Sequence, residues 1–106
     1  MAKKFIRTLS IWRTLEVVGD TSTLLILEAS WLGARRFEDF RSRTGILKPL
    51  LSDRLKRLIA AEIFEKRLYS EAPRRFEYQL TKKGRDLYWT SLMMLRWERN
   101  WATTER

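Results

Sequence analysis

The chain of 106 residues contains neither cysteine nor histidine. Without cysteine there is no disulfide framework, no thiolate nucleophile and no sulfur metal site. Without histidine the commonest general base and the commonest zinc ligand are missing as well. The four glycines are scattered, so no glycine-rich loop exists to cradle a phosphate. The only adjacent carboxylates are Glu38 and Asp39, and with no partner base they make a hydrolase a remote reading. Neither an enzyme nor a bound cofactor is therefore expected. Long apolar runs are also absent: Leu24 to Leu27 is the longest near the middle, far short of a membrane span. Lys3 and Lys4 open the chain, but Arg7, Thr8 and Ser10 interrupt any signal-peptide core. The expectation is a cytoplasmic protein with no membrane partner. Linkers, internal repeats and low-complexity segments are lacking too, so residues 1–106 read as one domain with one modest core.

Positive charge is what the chain has in excess. Lys and Arg number 22 against 13 Asp and Glu, a net charge of +9 and a pI near 10.5. So large an excess favours a polyanionic partner, with nucleic acid ahead of an anionic membrane. Its distribution is informative. Residues 8–34 carry only Arg13 against Glu16, Asp20 and Glu28, whereas residues 35–57 hold eight basic and three acidic side chains. Residues 66–85 hold seven basic and two acidic ones. The two basic patches flank one helix.

That helix lies in the stretch from Gly45 to Ile59. Leu51, Leu55 and Leu58 fall at i, i+4 and i+7, giving one apolar side, and Asp53, Lys56 and Arg57 project away from it. Gly45 ends what precedes it, and Pro49 is tolerated only in a first helical turn. Lys48 and Ser52 stand in the first turns, where side chains and free N–H groups can reach an anion. Such a helix is what a helix-turn-helix needs of its second member, although by itself it is also an ordinary amphipathic surface helix.

Around it the periodicity predicts a helix over residues 6–18, stopped at Gly19, and a second one capped by Asp20 or Thr21. The second is apolar nearly all round (Leu24 to Leu27, Ala29, Trp31, Leu32), which places it in the middle of a core, and Gly33 closes it. Residues 36–41 give a short helix with Phe37 and Phe40 inward. Phe64, Lys66 and Leu68 alternate with Glu65, Arg67 and Tyr69. Phe76, Tyr78 and Leu80 alternate with Glu77, Gln79 and Thr81. Between the runs a loop broken by Pro73 ends on Arg74 and Arg75, so this is a hairpin with a basic tip. Thr81 then caps a long helix running to about Trp101. The fold class is mostly α with a small β-hairpin: a winged helix-turn-helix with N- and C-terminal dimerisation helices. A helix-turn-helix followed at once by a basic-tipped hairpin is much harder to obtain by accident than either part alone, and it favours nucleic acid.

At the hairpin the chain resembles the HxlR family of bacterial winged-helix, MarR-like transcriptional regulators. Three segments carry the resemblance: Arg35 to Phe40, Leu51 to Leu58, and Arg67 through Pro73-Arg74-Arg75 to the Thr81-x-x-Gly84 that opens the closing helix. It covers about Leu9 to Trp97 and implies a dimeric DNA-binding regulator. Three features depart from the family. Many members have a cysteine at the start of the first helix, used by some as an oxidant or electrophile sensor; Leu9 stands near that place, so sensing by that route is excluded. Ser22 replaces a tryptophan after Gly19. Leu47-Lys48-Pro49 replaces a small residue followed by proline, and this bears on where the recognition helix starts.

On this reading Lys48, Ser52, Arg54, Lys56 and Arg57 contact bases and phosphates in a major groove. Arg54 flanks the leucine stripe and could instead pair with Glu62 or Glu65. Asp53 either accepts from a cytosine amino group or orients a neighbouring arginine. Arg74 and Arg75 suit a phosphate or a narrow minor groove, and Arg36 a phosphate. On the closing helix, Leu87, Tyr88, Ser91, Leu92 and Leu95 form one apolar face, and Trp89, Met93, Trp97 and Trp101 another. A domain this small covers only one of them. With Leu9 and Trp12, the second face is the expected homodimer interface, placing two recognition helices about 34 Å apart on a palindromic site. Double-stranded DNA is the expected partner, and a small-molecule effector of unknown identity could use a pocket near that interface. The alternative is a winged-helix protein–protein interaction module without specific DNA binding.

Overall fold

The computed structural model describes residues 10–102. In chain order the elements are α1 (Ser10–Val18), α2 (Thr21–Trp31), α3 (Phe37–Thr44), α4 (Lys48–Ala60), β1 (Phe64–Glu71), β2 (Arg74–Leu80), α5 (Lys82–Asp86) and α6 (Tyr88–Trp97), then a π-helical turn, Glu98–Ala102. The fold is mostly helical with one antiparallel hairpin, as the alternation and the 3.6-residue periodicity predict. Leu9, expected at the dimer interface, lies outside the described residues.

Local chemistry sets the boundaries. Asp20 is extended (φ −99, ψ 154), and its carboxylate accepts from the Thr23 N–H at 3.3 Å and from the Thr23 hydroxyl, capping α2. Asp39 accepts from the N–H groups of Arg35 (3.2 Å) and Arg36 (3.0 Å), satisfying donors at the start of α3. Gly45 takes the left-handed conformation (φ 73) that ends α3, donating to the Arg41 carbonyl at 2.9 Å. After a turn at Ile46 and Leu47, α4 starts with Pro49 in its first turn.

Leu51, Leu55 and Leu58 of α4 are buried with Ile26 and Leu27 of α2, Phe40 of α3, and Ile63 and Phe64 at the hairpin root. Each such leucine contributes roughly 1.5–3 kcal/mol of burial. Phe40 lies edge-on to Phe64 (5.8 Å) and Tyr78 (6.2 Å), so the aromatic centre of the core also fixes the base of the wing. One expectation is corrected here. The second helix is not enclosed all round: Thr23, Ile26, Leu27, Ala29 and Ser30 are buried, but Leu25 and Leu32 are exposed. Packing against α3 and α4 covers one side of α2 only, and its other side meets α6 across an open groove lined by Leu24, Leu25, Met94 and Leu95.

The hairpin pairs Phe64 with Leu80, Lys66 with Tyr78 and Leu68 with Phe76, then shifts register around Tyr69 so that Ser70 faces Arg75. Tyr78 N–H donates to the Arg35 carbonyl at 2.6 Å, so the segment entering α3 braces the edge of β2. Thr81 joins hairpin to α5. Its N–H donates to Ile63 O (3.0 Å), its hydroxyl donates to Glu62 O, and the hydroxyl oxygen accepts from Gly84 N–H (3.0 Å). The closing helix is not continuous, contrary to the single helix expected from Lys82 to Trp101. It breaks at Leu87, whose N–H reaches back three residues to Gly84 O (3.1 Å) while its side chain packs on the core. The final turn is π-helical. No helix among the described residues is long and apolar enough to cross a membrane.

Candidate nucleic-acid interface

Helices α3 and α4, joined by the turn at 45–47, form the helix-turn-helix, and the hairpin follows α4 directly. With Leu51, Leu55 and Leu58 committed to the core, Lys48, Asp53, Lys56 and Arg57 are left exposed on α4, and Ser52 is half-buried beside them. Lys48 and Lys56 have no ion pair among the described residues. The leucine spacing thus dictates which α4 side chains can face a ligand.

The acidic residue in the middle of that face is engaged. Asp53 Oδ2 accepts from Nη1 of Arg54 and forms an ion pair with Arg57, four residues on, whose Nε lies 3.1 Å away. Arg54 also donates through Nε to Asp20 Oδ2 at 3.1 Å, across 34 positions of sequence. This corrects the partners expected for Arg54, which were Glu62 and Glu65. Glu65 instead pairs with Arg67 at 3.0 Å, and Arg54 lies on the flank of α4 that turns to the start of α2. Its side chain is 20% exposed, against 68% for Arg57, and it is held between Asp20 and Asp53. Partial burial pushes the Asp20 carboxyl up, but the hydrogen bonds from Thr23 and Arg54 outweigh it and hold the group below its ordinary range. The same pairing with Asp20 raises the Arg54 guanidinium further above its usual value.

At the wing, Arg74 and Arg75 are exposed at the start of β2, next to the turn at Ala72 and Pro73. Ser70 Oγ donates to Pro73 O at 2.8 Å, tightening the tip. The Arg74 guanidinium lies 5.6 Å from the Phe76 ring centroid, and Lys66 Nζ lies 4.5 Å from it, so two cations stand over one aromatic ring. Arg36 faces the wing. Its guanidinium is 4.2 Å from the Tyr69 centroid and its Nε is 3.9 Å from Glu77 Oε2, which makes it a clasp between α3 and the hairpin as well as a surface cation. Tyr69 and Glu77 escaped the sequence reading; the alternation puts them on one face of the hairpin, but nothing local pairs that face with Arg36.

Trp89, Met93 and Trp97 on α6 and Trp101 on the π-helical turn after it are 59–72% exposed, and neither element buries any residue. Trp12 and Leu15 on α1 are also open. Coverage of the other face of α6 is partial: Leu87, Ser91 and Leu92 are half-buried, but Tyr88 and Leu95 are exposed. Tyr88 meets Trp31 edge-on at 5.7 Å.

A three-helix core with a helix-turn-helix, a charged outward face on the second helix of that motif and an arginine-tipped hairpin defines a winged helix-turn-helix, an arrangement widely used to bind DNA. Residues 17–106 match the HxlR-like helix-turn-helix family, and the chain belongs to it. It is 42% identical over 88 residues to an uncharacterized HTH-type transcriptional regulator of Mycobacterium tuberculosis (strain H37Rv). The aligned part is 83% of this chain but 56% of the relative, so the chain spans about half the length of that protein. Among solved structures it is similar to the redox regulator HypR in its reduced form, with a TM-score of 0.79 and 28% identity over 87% of this chain and 92% of that one. It is also similar to diamide-treated YodB of B. subtilis, with a TM-score of 0.70 and 27% identity over 84% and 89% of the two chains. The proteins that it matches here are described as regulators of transcription or redox regulators.

Proposed function

We propose that this chain binds double-stranded DNA in the bacterial cytoplasm as a homodimer on a palindromic operator. Helix α4 enters the major groove, with Lys48, Ser52, Asp53, Lys56 and Arg57 toward the bases and phosphates. Arg74 and Arg75 reach the minor groove or the flanking phosphates, with Arg36 behind them. Arg54 supports this surface from the side. The observation that carries the reading is that the leucines of α4 turn Lys48, Lys56 and Arg57 outward on the one helix that a basic hairpin follows directly.

The dimeric part rests on α6. Four large apolar side chains, three of them tryptophan, are open on α6 and the π-helical turn that follows it, a patch that monomers seldom leave in water. A second copy against α1 and α6 would cover it and bring two α4 helices onto one face of a duplex, about one turn apart. The open cleft of about 570 Å³ lined by Met93, Met94, Trp97 and Trp101 would then close into a pocket suited to an apolar effector.

Selection of bound fragments from a bacterial genomic library, followed by sequencing, tests this directly. The expected result is an enriched inverted repeat whose half-sites lie about 10 base pairs apart centre to centre. Recovery of fragments with no common sequence would contradict specific recognition and favour a protein-binding module.

A further inference from the structure

The ion pairs on α4 form a continuous chain, and nothing in the bare winged helix-turn-helix plan requires it. Asp20 Oδ2 holds Arg54 Nε, Arg54 Nη1 holds Asp53 Oδ2, and that same oxygen holds Arg57 Nε at 3.1 Å. The path starts at the cap of α2 and ends on the most outward arginine of α4. Isolated surface pairs are worth little, but here the middle member is largely covered and its partner Asp20 is fixed by Thr23 as well. One end is held at Asp20 by several hydrogen bonds, and the other end is a guanidinium.

An unrestrained arginine loses much rotamer freedom when it docks, and it takes any phosphate within reach. Arg57 is different, because Asp53 Oδ2 already lies 3.1 Å from its Nε as an ion-pair partner, which restrains the guanidinium while its Nη groups face outward to donate. Asp53 also places a negative charge in the middle of a face otherwise suited to phosphates, which penalises approach by the backbone alone. We infer that Asp53, buttressed by Asp20 through Arg54, is a positioning residue that sets specificity: it presents Arg57 in one orientation for a base edge and suppresses binding to random DNA. This rests on the DNA-binding reading above.

The test is a set of titrations of operator and random duplexes with the wild-type chain, Asp53→Asn, Arg57→Ala, the double variant and Asp20→Asn. Asp53→Asn keeps the size and an acceptor oxygen but removes the charge. It is expected to tighten random-duplex binding several-fold and to lower the operator-to-random ratio about tenfold, the scale of one good base contact. If Asp53 acts through Arg57, adding Asp53→Asn to Arg57→Ala should lower that ratio by twofold or less. Asn caps a helix as well as Asp, so Asp20→Asn should keep α2 intact and shift the ratio in the same direction by a smaller factor. Full additivity of the two α4 substitutions, or an unchanged ratio in Asp53→Asn, would overturn the inference. A wild-type chain with no preference for any selected duplex would overturn the DNA-binding reading itself, an outcome distinct from either of these.

Discussion

Arg57 and Arg74 carry the same charge, but the chain holds them in different ways. Arg57 is pinned on a helix by Asp53, whereas Arg74 lies over Phe76 on a hairpin tip beside Arg75. The wing pair should therefore supply affinity with little base-by-base discrimination. Arg74→Ala with Arg75→Ala is expected to weaken operator and random duplexes by similar factors and to lower the dependence on salt. Arg57→Ala should weaken the operator more than random DNA, by roughly 1–3 kcal/mol. Loss of discrimination in the wing variant alone would move recognition away from α4. Asp20 and Asp39 bear on stability in acid. Both have folded-state values below the ordinary 3.8, Asp20 through Thr23 and Arg54 against the opposing effect of burial, Asp39 through the N–H groups of Arg36 and Arg35. The unfolded chain takes up these protons first as pH falls, so their contribution is complete above the ordinary value and disappears as pH drops through the depressed folded ones. Urea midpoints measured from about pH 6 to pH 3 should fall less steeply for Asp20→Asn than for the wild type. Equal slopes would contradict a charged, paired Asp20.

At the scale of elements, the joint between wing and closing helix is the least forgiving place in the fold. A Cβ on Gly84 would stand 2.2 Å from the Ile63 carbonyl oxygen and 2.9 Å from a Leu80 methyl. Gly84→Ala is expected to cost about 1–3 kcal/mol in a urea melt, because backbone must move to admit one methyl. A neutral result would show that α5 is not clamped to the hairpin root. Thr81-x-x-Gly84 was visible only through the family resemblance, and the clash that makes Gly84 necessary lies with Ile63, far off in sequence. The Thr81 cap, the turn at Gly45 and the first-turn Pro49 were legible, as was a cap at Asp20 or Thr21, since these depend on chemistry within four residues. The leucine face of α4 was legible for the same reason. Arg54 with Asp20 and Arg36 with Tyr69 and Glu77 were not, because each joins elements more than thirty residues apart, and their meeting depends on how α2, α3 and the hairpin dock. The break at Leu87 was hidden too: the apolar spacing runs on through it, and only the pull of the core on Leu87 distinguishes the two segments.

On the scale of the whole molecule, the surface is unequally divided. One side presents the cations of α4 and the wing, and α6 presents tryptophans and methionines that the domain cannot cover. If the chain dimerises through this surface as proposed, Trp97→Glu should leave helix content unchanged, give a monomer where the wild type sediments as a dimer, and weaken operator binding at least tenfold, because two half-sites would no longer be held together. An unchanged sedimentation coefficient would place the interface elsewhere. The central claim is that a chain of charge +9 uses these cations to grip a duplex, and the most direct test is the salt dependence of that grip. Operator affinity measured at several salt concentrations should fall linearly on logarithmic axes, with a slope of about −0.9 per phosphate neutralised, and lose at least a hundredfold between about 50 and 200 mM. A flat response over that range would contradict DNA as the partner of this surface.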